Sequence, residues 1–294
     1  MTIVLIGLGR IARYHIAALT TTPLYCLCGL CDLHRTPLAD AYPDLPFFTD
    51  YTALLDALHP DAAVIATPPA THLDVVESCL KRGVLPMVEK PLAETAEEGL
   101  RFFAPDLRGR YVPMHHTAYG EEMLWFAAHC PLRHIESVRM VLEDPYATPD
   151  GRIDPARYGL GGSWMDSAPN ALAPLMKLLP LSSLSDIRLD HRTDPQCGLP
   201  YSSRLTARAG ETEVEIAVHW ETGHNSKQTF IEADGHHYVL HHSDQAVWRD
   251  GERLFAFDRQ ERLLRQYSNF YRLYPEGVPA PEELEQMYQI IYHQ

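Results

Sequence analysis

The chain opens on an apolar run, Thr2-Ile3-Val4-Leu5-Ile6, that breaks into Gly7-Leu8-Gly9-Arg10-Ile11-Ala12 and then into a helical pattern carried by Ile11, Ala12, Ile16 and Leu19. No other stretch restricts the fold as much. An apolar run without alternation reads as a strand buried on both faces of a parallel sheet. In a G-x-G-x-x-A turn between such a strand and a helix, each small residue has a separate task. The first glycine permits the tight turn, the second lets backbone approach a pyrophosphate, and Ala12 lets helix and strand pack closely. The helix start then offers N–H groups to an anion, which makes Gly7, Gly9, Arg10 and Ile11 candidate cofactor-binding positions.

A second buried run, Leu24 to Cys31, ends in Asp32, 23 residues after Gly9. An acid at that distance is placed to accept hydrogen bonds from an adenosine ribose 2′-hydroxyl, and it favours NAD over NADP because a carboxylate repels a 2′-phosphate. His34 and Arg35 stand close by and can pair with such a phosphate, so NADP stays open. A βαβ rhythm continues: a short strand at Pro46–Phe48, a helix capped by Asp50, and a buried strand from Ala62 to Ala66. The turn Thr67-Pro68-Pro69-Ala70-Thr71-His72 follows at that strand's carboxyl end and puts Thr67, Pro68 and His72 at the cofactor crevice. The next run, Val84 to Val88, stops in Glu89-Lys90-Pro91. Proline cannot donate to a sheet ladder, so the strand ends there and delivers Glu89 and Lys90 to the same crevice. A helix near 94–103 and a strand from Arg110 to Met114 complete a doubly wound sheet whose edge lies near His115 and His116.

After about residue 117 the rhythm changes. A helix through Met123 and Phe126 leads to an alternating strand around His134–Leu142, a Pro/Gly-rich connection over 145–162, and a long apolar helix from Ser163 to Leu179. Strands with turn signals at Gly210, Gly235 and Gly251 come next, and a closing helix spans 281–292. Val214, Ile216, Val218 and Trp220 share one face while Glu213, Glu215 and His219 take the other, as in an antiparallel sheet with one wet face. The expected fold is an α/β Rossmann domain over 1–117, followed by an α+β domain over 118–294 with a mainly antiparallel open sheet. Its terminal helix is free to pack back on the first domain.

Composition narrows the partners. With 39 acidic against 25 basic residues the net charge is −14, which argues against nucleic acid and anionic membrane. No apolar run approaches the roughly 20 residues of a bilayer span, and the start carries no charged leader, so the reading is cytoplasmic. Six scattered cysteines do not make a disulfide scaffold, and Cys26, Cys28 and Cys31 fall inside a buried strand without a fourth ligand. His236-His237 and His241-His242 point to alternate strand faces, so no metal site is expected.

The order Gly7-Leu8-Gly9-Arg10-Ile11-Ala12, Thr67-Pro68-Pro69 with His72, and Glu89-Lys90-Pro91 resembles the glucose–fructose oxidoreductase / inositol dehydrogenase / MocA-like (Gfo/Idh/MocA) family. The resemblance is firm over 1–117 and fainter afterwards. It implies a pyridine-nucleotide oxidoreductase acting mostly on sugars or polyols, with the Glu-Lys-Pro lysine in the active site. In that family the Lys-Pro peptide is frequently cis, which fixes the lysine's direction. Family members also carry an aspartate and, four residues later, a histidine on the long helix of the second domain. Here Asp166 is kept but Asn170 stands at the histidine place. That pattern, with His116 and Tyr119, is similar to the bacterial aldose 1-dehydrogenases acting on galactose and arabinose, which convert a pyranose to its lactone.

The resemblance therefore implies Lys90, Asp166 and Asn170 as catalytic residues, His116 and Tyr119 as substrate contacts, and NAD or NADP as cofactor. Spacing of i and i+4 puts Asp166 and Asn170 on one helix face. A lysine moves a proton near neutral pH when burial or a neighbouring cation lowers its pKa. An amide does not titrate, so the His-to-Asn exchange leaves Lys90 and Asp166 as the acid–base pair. Glu89 takes a supporting place on the cofactor side, orienting Lys90 or backbone. Reduction of a carbonyl or imine is the alternative chemistry, and a cofactor-binding regulator without catalysis is the second alternative. A homodimer or homotetramer through the open sheet face, which carries Arg204, Arg208, Glu213 and Glu215, is left open.

Overall fold

A computed structural model describes residues 1–148, 150–277 and 279–292; Pro149 of the predicted connection, Val278 and residues 293–294 lie outside the described residues. In the first part, strands and helices alternate: β1 (Thr2–Ile6), α1 (Ala12–Thr21), β2 (Cys26–Cys31), α2 (Pro37–Asp40), β3 (Phe47–Phe48) and α3 (Tyr51–Leu58). The alternation continues through β4 (Ala62–Ile65), α4 (His72–Lys81), β5 (Leu85–Glu89), α5 (Ala96–Arg101) and β6 (Val112–Met114). The six strands are parallel in the order β3-β2-β1-β4-β5-β6, so strand order reverses between β1 and β4. Ligands settle outside the carboxyl ends of the strands at such a reversal. The apolar runs predict this sheet because every residue of β4 is buried, as a strand covered on both faces requires.

Helix starts divide into capped and uncapped. Asp50 accepts from the Thr52 and Ala53 N–H groups at the head of α3, Thr36 caps α2, and Thr95 caps α5. By contrast α1 has no side-chain cap and no acid in its first turn. Its leading N–H groups are therefore left to backbone, solvent or a ligand.

The second part begins with a 3₁₀ turn at His116–Tyr119, then α6 (Glu121–His129), β7 (Ile135–Pro145) and α7 (Gly162–Leu175). Next come β8 (Leu184–Thr193), β9 (Pro200–Ala209), β10 (Thr212–His219), β11 (Glu221–Ala233), β12 (His236–His241), β13 (Ala246–Arg249) and β14 (Glu252–Ala256). The chain closes with α8 (Arg262–Gly277) and α9 (Pro281–Ile291). The eight strands form one sheet in the order β14-β13-β12-β11-β7-β10-β9-β8, antiparallel except for the β7/β10 pair. Ile231, Leu240 and Val247 pack with Met123 and Phe126 of α6 in the core on one face. On the other face Arg204 meets Glu215 at 2.6 Å and Arg208 meets Glu213 at 3.6 Å. Among the described residues no helix is long and apolar enough to cross a membrane.

Contacts gather the chain into two compact units. One is Met1–His115 with Leu263–Pro281; the other is His116–Arg262 with Glu282–Gln294. The sequence reading has no helix over 262–277, so α8 is an addition, and it is α8, not the closing helix, that is grouped with the first unit. Its buried side chains include Tyr267, Phe270 and Tyr271, spaced for one helix face.

Local backbone also fixes the head of α7. Gly162 has φ +90°, and a Cβ there would lie 2.8 Å from Pro200 Cδ and 2.9 Å from the Pro200 carbonyl oxygen. Gly162→Ala is expected to destabilise the protein by about 1–3 kcal/mol through strained backbone and this collision. Chemical denaturation checks it, and an unchanged midpoint would refute the close approach.

Candidate functional site

The first unit holds a cleft of about 520 Å³ lined by Gly7, Gly9, Asp32, Thr67 and Pro68, together with Leu33, Tyr51 and Thr71. It stands outside the carboxyl ends of β1, β2 and β4. Gly7 is fixed by its neighbours: with φ +96°, a Cβ would sit 2.5 Å from the Ala66 carbonyl carbon and 2.7 Å from the Thr67 nitrogen. A Cβ on Gly9 would meet nothing within 4 Å, so this glycine opens onto space, as a cradle for a bulky anion demands. Arg10 and Ile11 follow at the start of α1 and are not among the cleft walls. The Asp32 Oδ2 accepts the Leu8 N–H at 2.6 Å, which pins the glycine turn to the end of β2. These features fit a dinucleotide: Gly7 and Gly9 would admit the pyrophosphate, and Asp32 would hold the ribose.

His72 takes a different place. It is 1% exposed, with Nε2 2.8 Å from the Thr67 carbonyl oxygen and Nδ1 3.2 Å from that of Leu92. It thus braces the Thr67–Pro68 wall from behind, while Thr71 Oγ1 donates to Thr67 Oγ1 at 2.8 Å. Burial pulls the His72 pKa below its ordinary value, outweighing the two carbonyls that favour the imidazolium.

The Lys90–Pro91 peptide is cis, and Lys90 is half-buried just beyond β5. The Glu89 side chain beneath it is 9% exposed. Its Oε1 accepts the Tyr267 hydroxyl at 2.6 Å, and its Oε2 accepts the Lys90 N–H at 3.2 Å. His15 Nε2 lies 3.1 Å from Oε1, and His15 Nδ1 is 2.8 Å from the Tyr271 hydroxyl. Burial, then the charge of Glu89, pushes the Tyr267 and Tyr271 phenols well above their ordinary pKa, so both stay protonated. His15, Tyr267 and Tyr271 are missing from the sequence reading. The stripe Leu263, Tyr267, Phe270, Tyr271, Tyr274 carries the helical period that could have found the two tyrosines.

The second unit gathers the remaining candidates. Asp166 is buried and Asn170 half-buried on α7, and Asn170 Nδ2 donates to the Asp166 carbonyl at 3.4 Å. His116 and Tyr119 are buried in the 3₁₀ turn that packs on α7. The Lys177 ammonium lies 5.0 Å from the Tyr119 ring centroid, and burial pushes the Tyr119 phenol up to about 12. His236 pairs with Asp250 and His237 with Glu232, each at 2.6 Å.

Residues 1–104 match the Gfo/Idh/MocA family model, described as an oxidoreductase family with an NAD-binding Rossmann fold. The chain is similar to the rhizopine catabolism protein MocA of Rhizobium meliloti, 31% identical over 108 residues that make up 36% of this chain and 33% of that protein. It is also similar to inositol 2-dehydrogenase 2 of Saccharopolyspora erythraea, 31% identical over 113 residues, 37% of this chain and 33% of the relative. The matched segment thus spans about a third of each curated relative's length. Among solved structures, levoglucosan dehydrogenase in complex with NADH and levoglucosan superposes with a TM-score of 0.79 at 14% identity, covering 99% of this chain and 94% of that one. At that identity the likeness is one of fold.

A pH dependence follows from His72. Its folded pKa lies below the unfolded value of about 6.5, so below that value the unfolded chain binds the proton first. Stability is expected to fall as pH drops from about 6.5 toward the lowered folded pKa. Urea midpoints across that window in parent and His72→Gln measure it, and an equally steep loss in the variant would clear His72 of the effect.

Proposed function

We propose that this chain, whose residues 1–104 match the Gfo/Idh/MocA oxidoreductase family model, is an NAD(P)-dependent dehydrogenase oxidising a CH–OH group of a sugar or polyol. The observation that carries this reading is the pairing, within one unit, of an open glycine cradle with Lys90, whose backbone is tied to the buried Glu89. Similarity to an inositol dehydrogenase, and in fold to a levoglucosan dehydrogenase with NADH bound, supports the substrate class. At the finer level the reaction is oxidation of an aldose at C1 to its lactone, supported by Asp166 with Asn170 on α7.

The oxidation removes a hydride from carbon and a proton from its hydroxyl. The nicotinamide, when bound, supplies the hydride acceptor. Gly7, Gly9 and the uncapped start of α1 would hold the pyrophosphate, with Thr67 and Pro68 as cleft wall. Lys90 polarises the reacting oxygen and takes the hydroxyl proton. Asp166 accepts hydrogen bonds from sugar hydroxyls, while the Asn170 amide both donates and accepts without titrating. His116 and Tyr119 complete the substrate contacts.

NAD is the favoured cofactor. Of the two candidates for a 2′-phosphate, His34 and Arg35, Arg35 has its Nε 2.6 Å from Asp40 and its guanidinium 5.4 Å from the Phe47 ring centroid. Asp32, a cleft wall, adds its negative charge against a phosphate.

Lys90→Ala is expected to lower turnover on a responsive aldose or polyol by roughly 10²–10⁴ while NADH binding, followed by fluorescence, is kept. Turnover near that of the parent would sink the assignment. Asp32→Ser is expected to raise the kcat/KM ratio of NADP to NAD by about tenfold or more, the equivalent of one charge repulsion of ~1.4 kcal/mol. A ratio that stays put would remove Asp32 from the ribose site.

A further inference from the structure

On the core-facing side of β11, Lys227, Thr229, Ile231 and Ala233 are all buried, so a lysine occupies a row otherwise given to small or apolar side chains. Its ammonium lies 2.6 Å from Asp144 Oδ1 on β7, and the two side chains are 10% and 9% exposed. Asp144 is fully engaged. Oδ1 also accepts from Asn225 Nδ2 at 3.1 Å, and Oδ2 accepts from Ser167 Oγ at 3.3 Å. Ser167 is 1% exposed and follows Asp166 directly on α7. A register break brings β11 to this point: Glu221 pairs with Pro145 and Ser226 with Glu143, so β11 carries extra residues opposite Asp144. Breaks of this kind re-aim side chains beside functional sites.

Two charges in an interior are a poor way to gain stability. Their desolvation cancels most of their attraction, and apolar side chains of similar volume usually leave such a protein as stable or more so. What the pair supplies is a fixed geometry. Burial pulls the Lys227 pKa down, Asp144 and then Asp166 oppose that, and Arg262 adds to it, so Asp166 lies within the reach of this lysine's charge. A helical side chain ends about 5–6 Å from its axis, so a rotation of roughly 20° in α7 moves the Asp166 carboxylate about 2 Å. Misplacement by about 1 Å is enough to cost roughly a hundredfold in rate.

We infer that Asp144 and Lys227 are positioning residues for the proposed substrate helix: acting through Ser167, they fix the rotation of the α7 turn that presents Asp166 and Asn170. This rests on the reading of Asp166 and Asn170 as substrate-binding residues. The pair touches neither substrate nor cofactor in this role. It acts through the helix.

The test is the double variant Asp144→Leu/Lys227→Met, with Ser167→Ala as the smallest cut in the same link. The double variant is expected to melt within a few degrees of the parent, because both charges leave together. Amide hydrogen exchange over 163–170 should speed up about tenfold, kcat/KM for the sugar should fall by about tenfold or more, and KM for NAD should stay within about twofold. Ser167→Ala should shift the same two readouts in the same direction, by about threefold. A folded double variant with parental exchange over 163–170 and parental kcat/KM overturns the inference and leaves the pair structural only. Should the double variant not fold, parental values in Ser167→Ala overturn it instead. Exchange is read without turnover, so a parent inactive on every sugar offered defeats the proposed substrate class, while the exchange arm still decides the role of the pair.

Discussion

The carboxylate of Glu89 is enclosed at the end of β5, and the chemistry of the first unit depends on how it is satisfied. An uncompensated carboxylate in such a place costs several kcal/mol. Here one oxygen receives the Tyr267 hydroxyl from α8 with His15 of α1 beside it, and the other receives the Lys90 N–H. The strand that leads into Lys90, the helix whose start frames the glycine cradle, and α8 thus meet on one charge. Lys90 inherits its backbone position from that meeting. A glutamate to which the sequence gives a supporting place on the cofactor side, orienting Lys90 or backbone, is in three dimensions a tie beneath the residue next to it.

The second unit solves a related problem with a different balance. Its sheet buries Ile231, Leu240 and Val247 at one end of the inner face, and near the head of α7 the same face turns polar with Asp144, Lys227 and Thr229. His242, 2.9 Å from Glu122, extends that polar layer toward α6. Apolar area stabilises the far end, while hydrogen bonds and charge order the near end, where α7 carries Asp166 and Asn170. Stability and precision are thereby drawn from separate stretches of the same strands.

Legibility in the sequence follows the distance over which each feature is decided. The Gly7–Ala12 turn, the buried runs and the Pro91 stop depend on neighbours a few residues away, so the parallel sheet and its cleft can be read directly. Asp32, 23 residues after Gly9, is still legible because one βαβ unit fixes that spacing. Leu33 and Tyr51 on the cleft wall are harder, since an apolar residue beside a turn has no periodic signature. His15 with Tyr271, 256 positions apart, and Lys227 with Asp144, 83 apart, belong to no local pattern. Their partners are set by tertiary packing alone. For the same reason His72, which the turn places at the crevice, proves on folding to be braced between two carbonyls behind it.

One consequence of the chain path concerns the order of synthesis. The first unit takes in Leu263–Pro281 although its strands are complete by Met114. A ribosome releases the whole parallel sheet, and then most of the second unit, before the tyrosines that satisfy Glu89 exist as polypeptide. During that interval Glu89 and His15, at the carboxyl end of β5 and on α1, lack the tyrosine hydroxyls that they meet in the folded protein. Of the two units, the one with the parallel sheet is therefore begun before the other and completed after most of it, and severing the chain after His115 would separate Glu89 from the helix that supplies its Tyr267 partner.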